Sequence, residues 1–137
     1  LPVLAGQSGN TGAQALAVLI REMTLGDLGP RVKNQLIKEA ILGVVHGFMV
    51  GCICAVVMYV IASSQNNPHV ITLSIIILFS MTASCLVSGL MGAVVPVVLK
   101  KLGADPAAGS SIILTTGTDV VSMGVMLFLA NKFILGN

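Results

Sequence analysis

VITLSIIILFSMTASCLVSGLMGAVVPVVL, Val70 to Leu99, runs for 30 residues without a charged side chain. As one helix it would measure about 45 Å, against about 30 Å of bilayer hydrocarbon. A run this long and this apolar reads as a membrane-crossing helix, with Pro96 expected to kink it or end it early. Two flanking runs repeat the pattern. Ala40 to Ala62 carries no Asp, Glu, Lys or Arg, and Ala107 to Ala130 carries one, Asp119. The first twenty residues are uncharged but rich in Gly, Gln, Asn and Thr, and they run straight into Ala15-Leu-Ala-Val-Leu-Ile20. They read as a fourth span with one polar side.

Composition agrees. Of 137 residues, 55% are apolar and 9% charged, against roughly a quarter charged in a soluble domain. Twelve charged side chains cannot cover the surface of a soluble domain of this size. This excludes an ordinary soluble enzyme, a disordered chain and a nucleic-acid-binding module, since a net charge of +2 offers no phosphate-binding surface. No nucleophile, base and orienting partner converge, so the chain is not expected to be an enzyme. The fold class is an all-α, polytopic membrane helix bundle. One domain, 1–137, has spans at about 1–20, 40–62, 70–97 and 106–132, in a lipid bilayer.

Lys and Arg placement gives an orientation. Arg21, Arg31, Lys33 and Lys38 fall between the first and second spans, and Lys100 and Lys101 between the third and fourth. The intervening loop from Ser63 to His69 has none, and only Lys132 lies near the C-terminus. The two basic loops are therefore expected to be cytoplasmic and the C-terminus outside. Asp105-Pro106 has the form of a helix N-cap, and Gly29-Pro30 reads as a break before an amphipathic lead-in from Arg31 to Glu39.

Small residues recur every four positions: Gly43, Gly47 and Gly51 in the second span, and Ser84, Ser88 and Gly92 in the third. In lipid such stripes let helix backbones approach closely, and helix packing is their expected role. Cys52, Cys54 and Cys85 lie in apolar runs without metal-site spacing and read as small packing residues. His46 reads as a neutral, hydrogen-bonded histidine and His69 as a solvated turn residue.

Asp119 is the informative residue. It lies about 20 Å along its span, near mid-membrane, where a carboxylate is costly unless hydrated, paired or bound to a cation. Either it is protonated and hydrogen-bonded, or it is ionised and faces water and a cation. Ser111, Thr115, Thr118, Asp119 and Ser122 fall within about 100° of one another at 3.6 residues per turn. On the first span Gln7, Asn10, Thr11 and Gln14 form a second polar stripe of similar width. Two polar faces in an oily chain call for a common aqueous space, so these residues are expected to line a pore. The donors are all oxygen, which suits a hard cation. One carboxylate is too little charge for a divalent ion; a twofold dimer would supply two.

At these stripes the chain resembles the MgtE family of magnesium channels and transporters. Gly6-Gln-Ser-Gly-Asn10-Thr-Gly-Ala-Gln14 is similar to that family's Gly-, Asn- and Gln-rich motif in its second helix. Leu114-Thr-Thr-Gly-Thr-Asp119 is similar to the Thr-rich stretch around the aspartate of its fifth. Leu102-Gly-Ala-Asp105-Pro106-Ala, followed by Gly109-Ser-Ser111, resembles the loop and helix start between them. The resemblance implies a homodimer of five-helix subunits with Mg²⁺ carried through a pore at the interface. Paired Asp119 carboxylates would hold hydrated Mg²⁺, the Thr115 carbonyl would face the same ion shell, and other divalent cations could follow. The expected setting is a bacterial or archaeal cytoplasmic membrane, with no organic substrate. The family's first helix, the upstream half of its second, and its cytosolic N-terminal and CBS domains have no counterpart here, so no regulation is expected from this chain. A Na⁺- or H⁺-coupled Mg²⁺ carrier with Asp119 as coupling site is the alternative.

Overall fold

The structure, a computed structural model, describes residues 2–26 and 28–136, without side chains at 28–31, 108, 109 and 135. Four helices follow one another: α1 (Pro2–Thr24), α2 (Leu28–Ser64), α3 (Val70–Lys101) and α4 (Pro106–Ala130), which ends in a π-helical turn over Asn131–Leu135. The described residues contain no strand. Val32–Ser64, Val70–Lys101 and Ser110–Ile134 are each long and apolar enough to cross a membrane. α1, with 23 residues, is less apolar because of its Gly, Gln, Asn and Thr.

Two prolines expected to mark a break or an early helix end lie inside helices, for simple reasons. Gly29-Pro30 does not interrupt anything; it lies in the first turn of α2, where backbone N–H groups have no intrahelical acceptor and proline costs nothing. α2 is therefore one 37-residue helix of about 55 Å, longer than the hydrocarbon layer. The Arg31 side chain, part of the expected lead-in and of the charge asymmetry, lies outside the described residues. α3 likewise continues five residues beyond Pro96, to Lys101. The proline removes one bond, to the Gly92 carbonyl, and the ladder on either side carries on. Asp105 does cap α4 as expected: its Oδ1 accepts from the Ala107 N–H at 2.9 Å, and Pro106 takes the first helical position. Gly103, at φ 77°, makes the turn between α3 and α4.

α3 is the centre of the bundle. It packs against α1, α2 and α4, whereas α1 and α2 barely touch. The contacts are backbone-close. A Cβ at Gly43 would stand 2.7 Å from the Cys85 carbonyl oxygen, and one at Gly47 would stand 2.8 Å from Thr82 Cα. Gly51 lies equally tight against Leu78. Farther along α3, a Cβ at Gly92 would run into the Gly12 carbonyl oxygen of α1. Ser84 and Ser88 are buried in the same seam, and Ser88 Oγ donates to the Ser8 carbonyl oxygen. The small-residue stripes thus pack helices, as expected from their spacing.

Burial is inverted relative to a soluble core. Ser8, Ser80, Ser84, Ser88, Ser110, Thr118 and Ser122 are buried, while Ile41, Phe48, Ile53, Val56 and Phe79 are exposed. Bilayer lipid is as apolar as these side chains, so no force draws them inward; close approach decides what sits inside.

Gly92→Ala should lower stability in detergent by about 1–3 kcal/mol, because the added methyl meets backbone that cannot move aside. Gly124→Ala, where a Cβ meets nothing within 4 Å, should leave stability unchanged or raise it by up to about 1 kcal/mol through helix propensity. Thermal unfolding of the two variants checks this, and equal midpoints would contradict the α1–α3 contact.

Candidate functional site

α4 presents two polar faces, one turn of the helix apart in role. Ser110, Leu114, Thr118 and Ser122 recur every four residues and are all buried, with exposures of 0%, 1%, 2% and 0%. Ser111, Thr115 and Asp119 recur at the same spacing and are all exposed. The single stripe expected from angular spacing therefore divides. Thr118 and Ser122 turn into the bundle, away from the open face that Asp119 occupies. Their hydroxyls bond along their own helix, Thr118 Oγ1 to the Thr115 carbonyl at 3.1 Å and Ser122 Oγ to the Asp119 carbonyl at 3.1 Å. Thr115 Oγ1 donates in turn to the Ser111 carbonyl at 3.0 Å. Such back-bonding satisfies hydroxyls where no water is available.

α1 divides in the same way. Asn10 is exposed, as are Gly6 and Ala13 beside it. Thr11 is buried and Gln14 is exposed, and both line a cleft of about 430 Å³ between α1 and α2. Gln7 is half-buried, and its side-chain nitrogen lies 2.9 Å from His46 Nε2 on α2. The hydrogen bond between Gln7 and His46 ties two helices otherwise scarcely in contact.

Reading the sequence missed one polar pair. Gln35 and Glu39 on α2 are 8% and 7% exposed, and Gln35 Nε2 donates to Glu39 Oε1 at 2.9 Å. They fell in a stretch read as a lead-in to the second span. The signal was present: Gln35, Glu39, Leu42 and His46 lie within about 60° of one another on a helix.

Among the described residues no three His, Cys, Asp or Glu side chains come together as a metal cluster. One chain offers a lone carboxylate, Asp119, with hydroxyls a turn away. Its contribution to cation binding would be charge on an open, oxygen-lined face, suited to an ion that keeps its water.

A protein-family model described as "MgtE: Divalent cation transporter" matches residues 1–129. Proteins described as "Magnesium transporter MgtE" are 27% identical over 135 residues in Bacillus subtilis and 31% identical over 134 in Enterococcus faecalis. A third, from Thermus thermophilus, is 30% identical over 132 residues. These alignments cover 98%, 97% and 95% of the chain but only 29%, 28% and 28% of the relatives. The chain therefore spans less than a third of the length of these curated relatives.

The division of α4 can be read by thiol labelling. With Cys52, Cys54 and Cys85 replaced by alanine, Ser111→Cys and Thr115→Cys should react with a water-soluble thiol reagent in detergent. Thr118→Cys and Ser122→Cys should react about tenfold more slowly or less, as shielded thiols do. Similar rates at all four positions would contradict the two faces.

Proposed function

The chain belongs to the MgtE family of divalent cation transporters, and from that premise we propose that it carries Mg²⁺ across a membrane through a pore formed with a second copy. The observation that carries this reading is the exposed line Ser111, Thr115 and Asp119 on a helix long and apolar enough to cross a membrane. Asp119 lies thirteen residues into α4, about 20 Å at 1.5 Å per residue. A carboxylate facing lipid at that depth costs several kcal/mol, so an open face carrying one needs water, a cation or both. A twofold partner would place a second Asp119 opposite the first and make a −2 site. Mg²⁺ sheds its waters reluctantly, so two carboxylates holding a hydrated ion suit it better than a closed cage would.

In this reading α1 is the fourth crossing and Asn10 lines the pore beside α4. Gln7, Thr11, Gln14, Thr118 and Ser122 hold the lining helices rather than the ion. The Thr115 carbonyl takes the Thr118 hydroxyl, and in this reading it also faces the ion's water shell. Lys33, Lys38, Lys100 and Lys101 lie on the cytoplasmic side and the C-terminus outside, in a bacterial or archaeal cytoplasmic membrane. A potential of 100 mV, negative inside, favours entry of a divalent ion by about 4.6 kcal/mol, so uptake needs no second gradient.

The test is Mg²⁺ flux into proteoliposomes by the intact protein at set potentials, without Na⁺ or pH gradients. Wild-type flux should follow the potential. Asp119→Asn should cut it at least about tenfold, as expected on losing 1.4 kcal/mol or more of ion stabilisation, while insertion and dimerisation persist. Unchanged flux in Asp119→Asn would overturn the ion site. Flux seen only with a counter-ion gradient would replace the channel by a coupled carrier.

A further inference from the structure

A groove of about 700 Å³ runs between α3 and the second half of α4, from Thr72 and Phe133 at one end to Ala83 and Val125 at the other. The two helices are antiparallel, and a Cβ at Gly117 would meet Met91, a register that sets Ala83 level with Val125. Val125 lies about 120° around α4 from Asp119, so the groove is not on the ion-facing line. Its floor includes Ile76, 4% exposed, and its rims are Phe79 and Phe133, 61% and 60% exposed. Val125, Leu129 and Phe133 follow one another every four residues. In an α-helix such a line drifts by about 40° at each step. The π turn over Asn131–Leu135 has more residues per turn and counters that drift, which keeps Phe133 on the groove.

Length and charge say what the groove fits. From Thr72 to Ala83 is eleven residues of α3, about 16 Å at 1.5 Å per residue. One leaflet contributes half of the hydrocarbon layer, about 15 Å. The groove starts two residues from the first residue of α3, Val70, and ends near the middle of that helix, so it spans one leaflet from its polar edge inward. Thr72 is the polar residue of the lining and stands at that edge. Beside it, Lys132 Nζ lies 6.0 Å from the centroid of the Phe133 ring, close enough for a cation–π contact. Lys132 is the one Lys or Arg after Lys101, no Asp or Glu follows Asp119, and the loop from Ser63 to His69 carries none. The mouth of the groove therefore has a cation with no acid near it in sequence.

We propose that this groove seats one acyl chain of an anionic phospholipid, with the lipid phosphate at Lys132. The apolar walls take hydrocarbon over the depth of one leaflet. The ammonium takes the headgroup charge, and a zwitterionic choline lipid would bring a second cation beside it. The proposal needs α3 and α4 to cross a bilayer and does not rest on the pore.

The experiment titrates lipids into the intact protein in detergent and counts bound lipid by native mass spectrometry, independently of transport. Phosphatidylglycerol should bind about fivefold more tightly than phosphatidylcholine of the same chains, as expected for one basic residue at a membrane surface. Lys132→Gln should bring that ratio near one, and Lys100→Gln, at the other end of α3, should leave it unchanged. Ala83→Phe fills the inner end and should weaken both lipids severalfold; Val125→Phe serves if Ala83→Phe does not fold. Equal binding of the two lipids, a ratio retained in Lys132→Gln or a ratio lost in Lys100→Gln would overturn the headgroup assignment. Undiminished binding in both phenylalanine variants would overturn the chain site. The chain has no tryptophan, so Phe79→Trp reports on the rim in nanodiscs. Lipids brominated in mid-chain should quench it, and no quenching would mean that protein, a second copy included, covers the groove, which would overturn the proposal. Mg²⁺ flux enters none of these readings, so failure of the pore leaves them standing.

Discussion

The contact between Gly92 of α3 and the Gly12 carbonyl of α1 is closer than any side chain would permit, and the bundle is arranged around it. Lipid gives helices no hydrophobic reason to associate, so they hold together by dispersion, weak hydrogen bonds and shape. All three grow as backbones approach. Glycines on α2 bring it close to α3 as well, against Thr82 and Cys85. α3 thereby becomes the spine to which the other helices attach, and α1 and α2 meet chiefly through it.

This constraint sorts the polar side chains. Small hydroxyl residues fit the seams and disappear into them, bonding to carbonyls one turn back: Ser8 to Ala5, Thr11 to Gln7, Thr118 to Thr115 and Ser122 to Asp119. Larger or charged groups do not fit and remain on faces that α3 leaves uncovered. Asp119 is one such group. Glu39 is the intermediate case, covered by the bundle on most sides yet reached from the α1–α2 cleft, with an amide as its hydrogen-bond partner.

Both carboxylates pose the problem that a buried or membrane-embedded charge always poses: the cost of leaving water must be offset by a partner. The two settings differ in what they offer. Asp119 stands in a line with hydroxyls on an open face, which suits a hydrated ion. Glu39 is 7% exposed, takes a hydrogen bond from the Gln35 amide and borders a cleft with largely apolar walls. The family membership of the chain speaks to divalent cation transport.

The helical membrane class, the cap at Asp105 and, through three short motifs, the family were legible in the residues alone. These follow from local quantities: length of uncharged runs, four-residue spacing and residue type at fixed positions. The break expected at Gly29-Pro30 falls just before it, at the start of α2, and Pro96 does not end α3, because proline's effect depends on whether its missing bond was needed or can be spared. Which side of each polar stripe faces inward depends on how the helices pack. Thr118 and Asp119 are neighbours in sequence and differ by about 100° around the helix, yet α3 and α1 cover one and leave the other open. Angular spacing fixes how far apart two side chains point, but not where the neighbouring helices lie. The Glu39–Gln35 pair and the Gln7–His46 bond were hidden for the same reason, since each acquires its setting from how two helices separated in sequence are seated on a third.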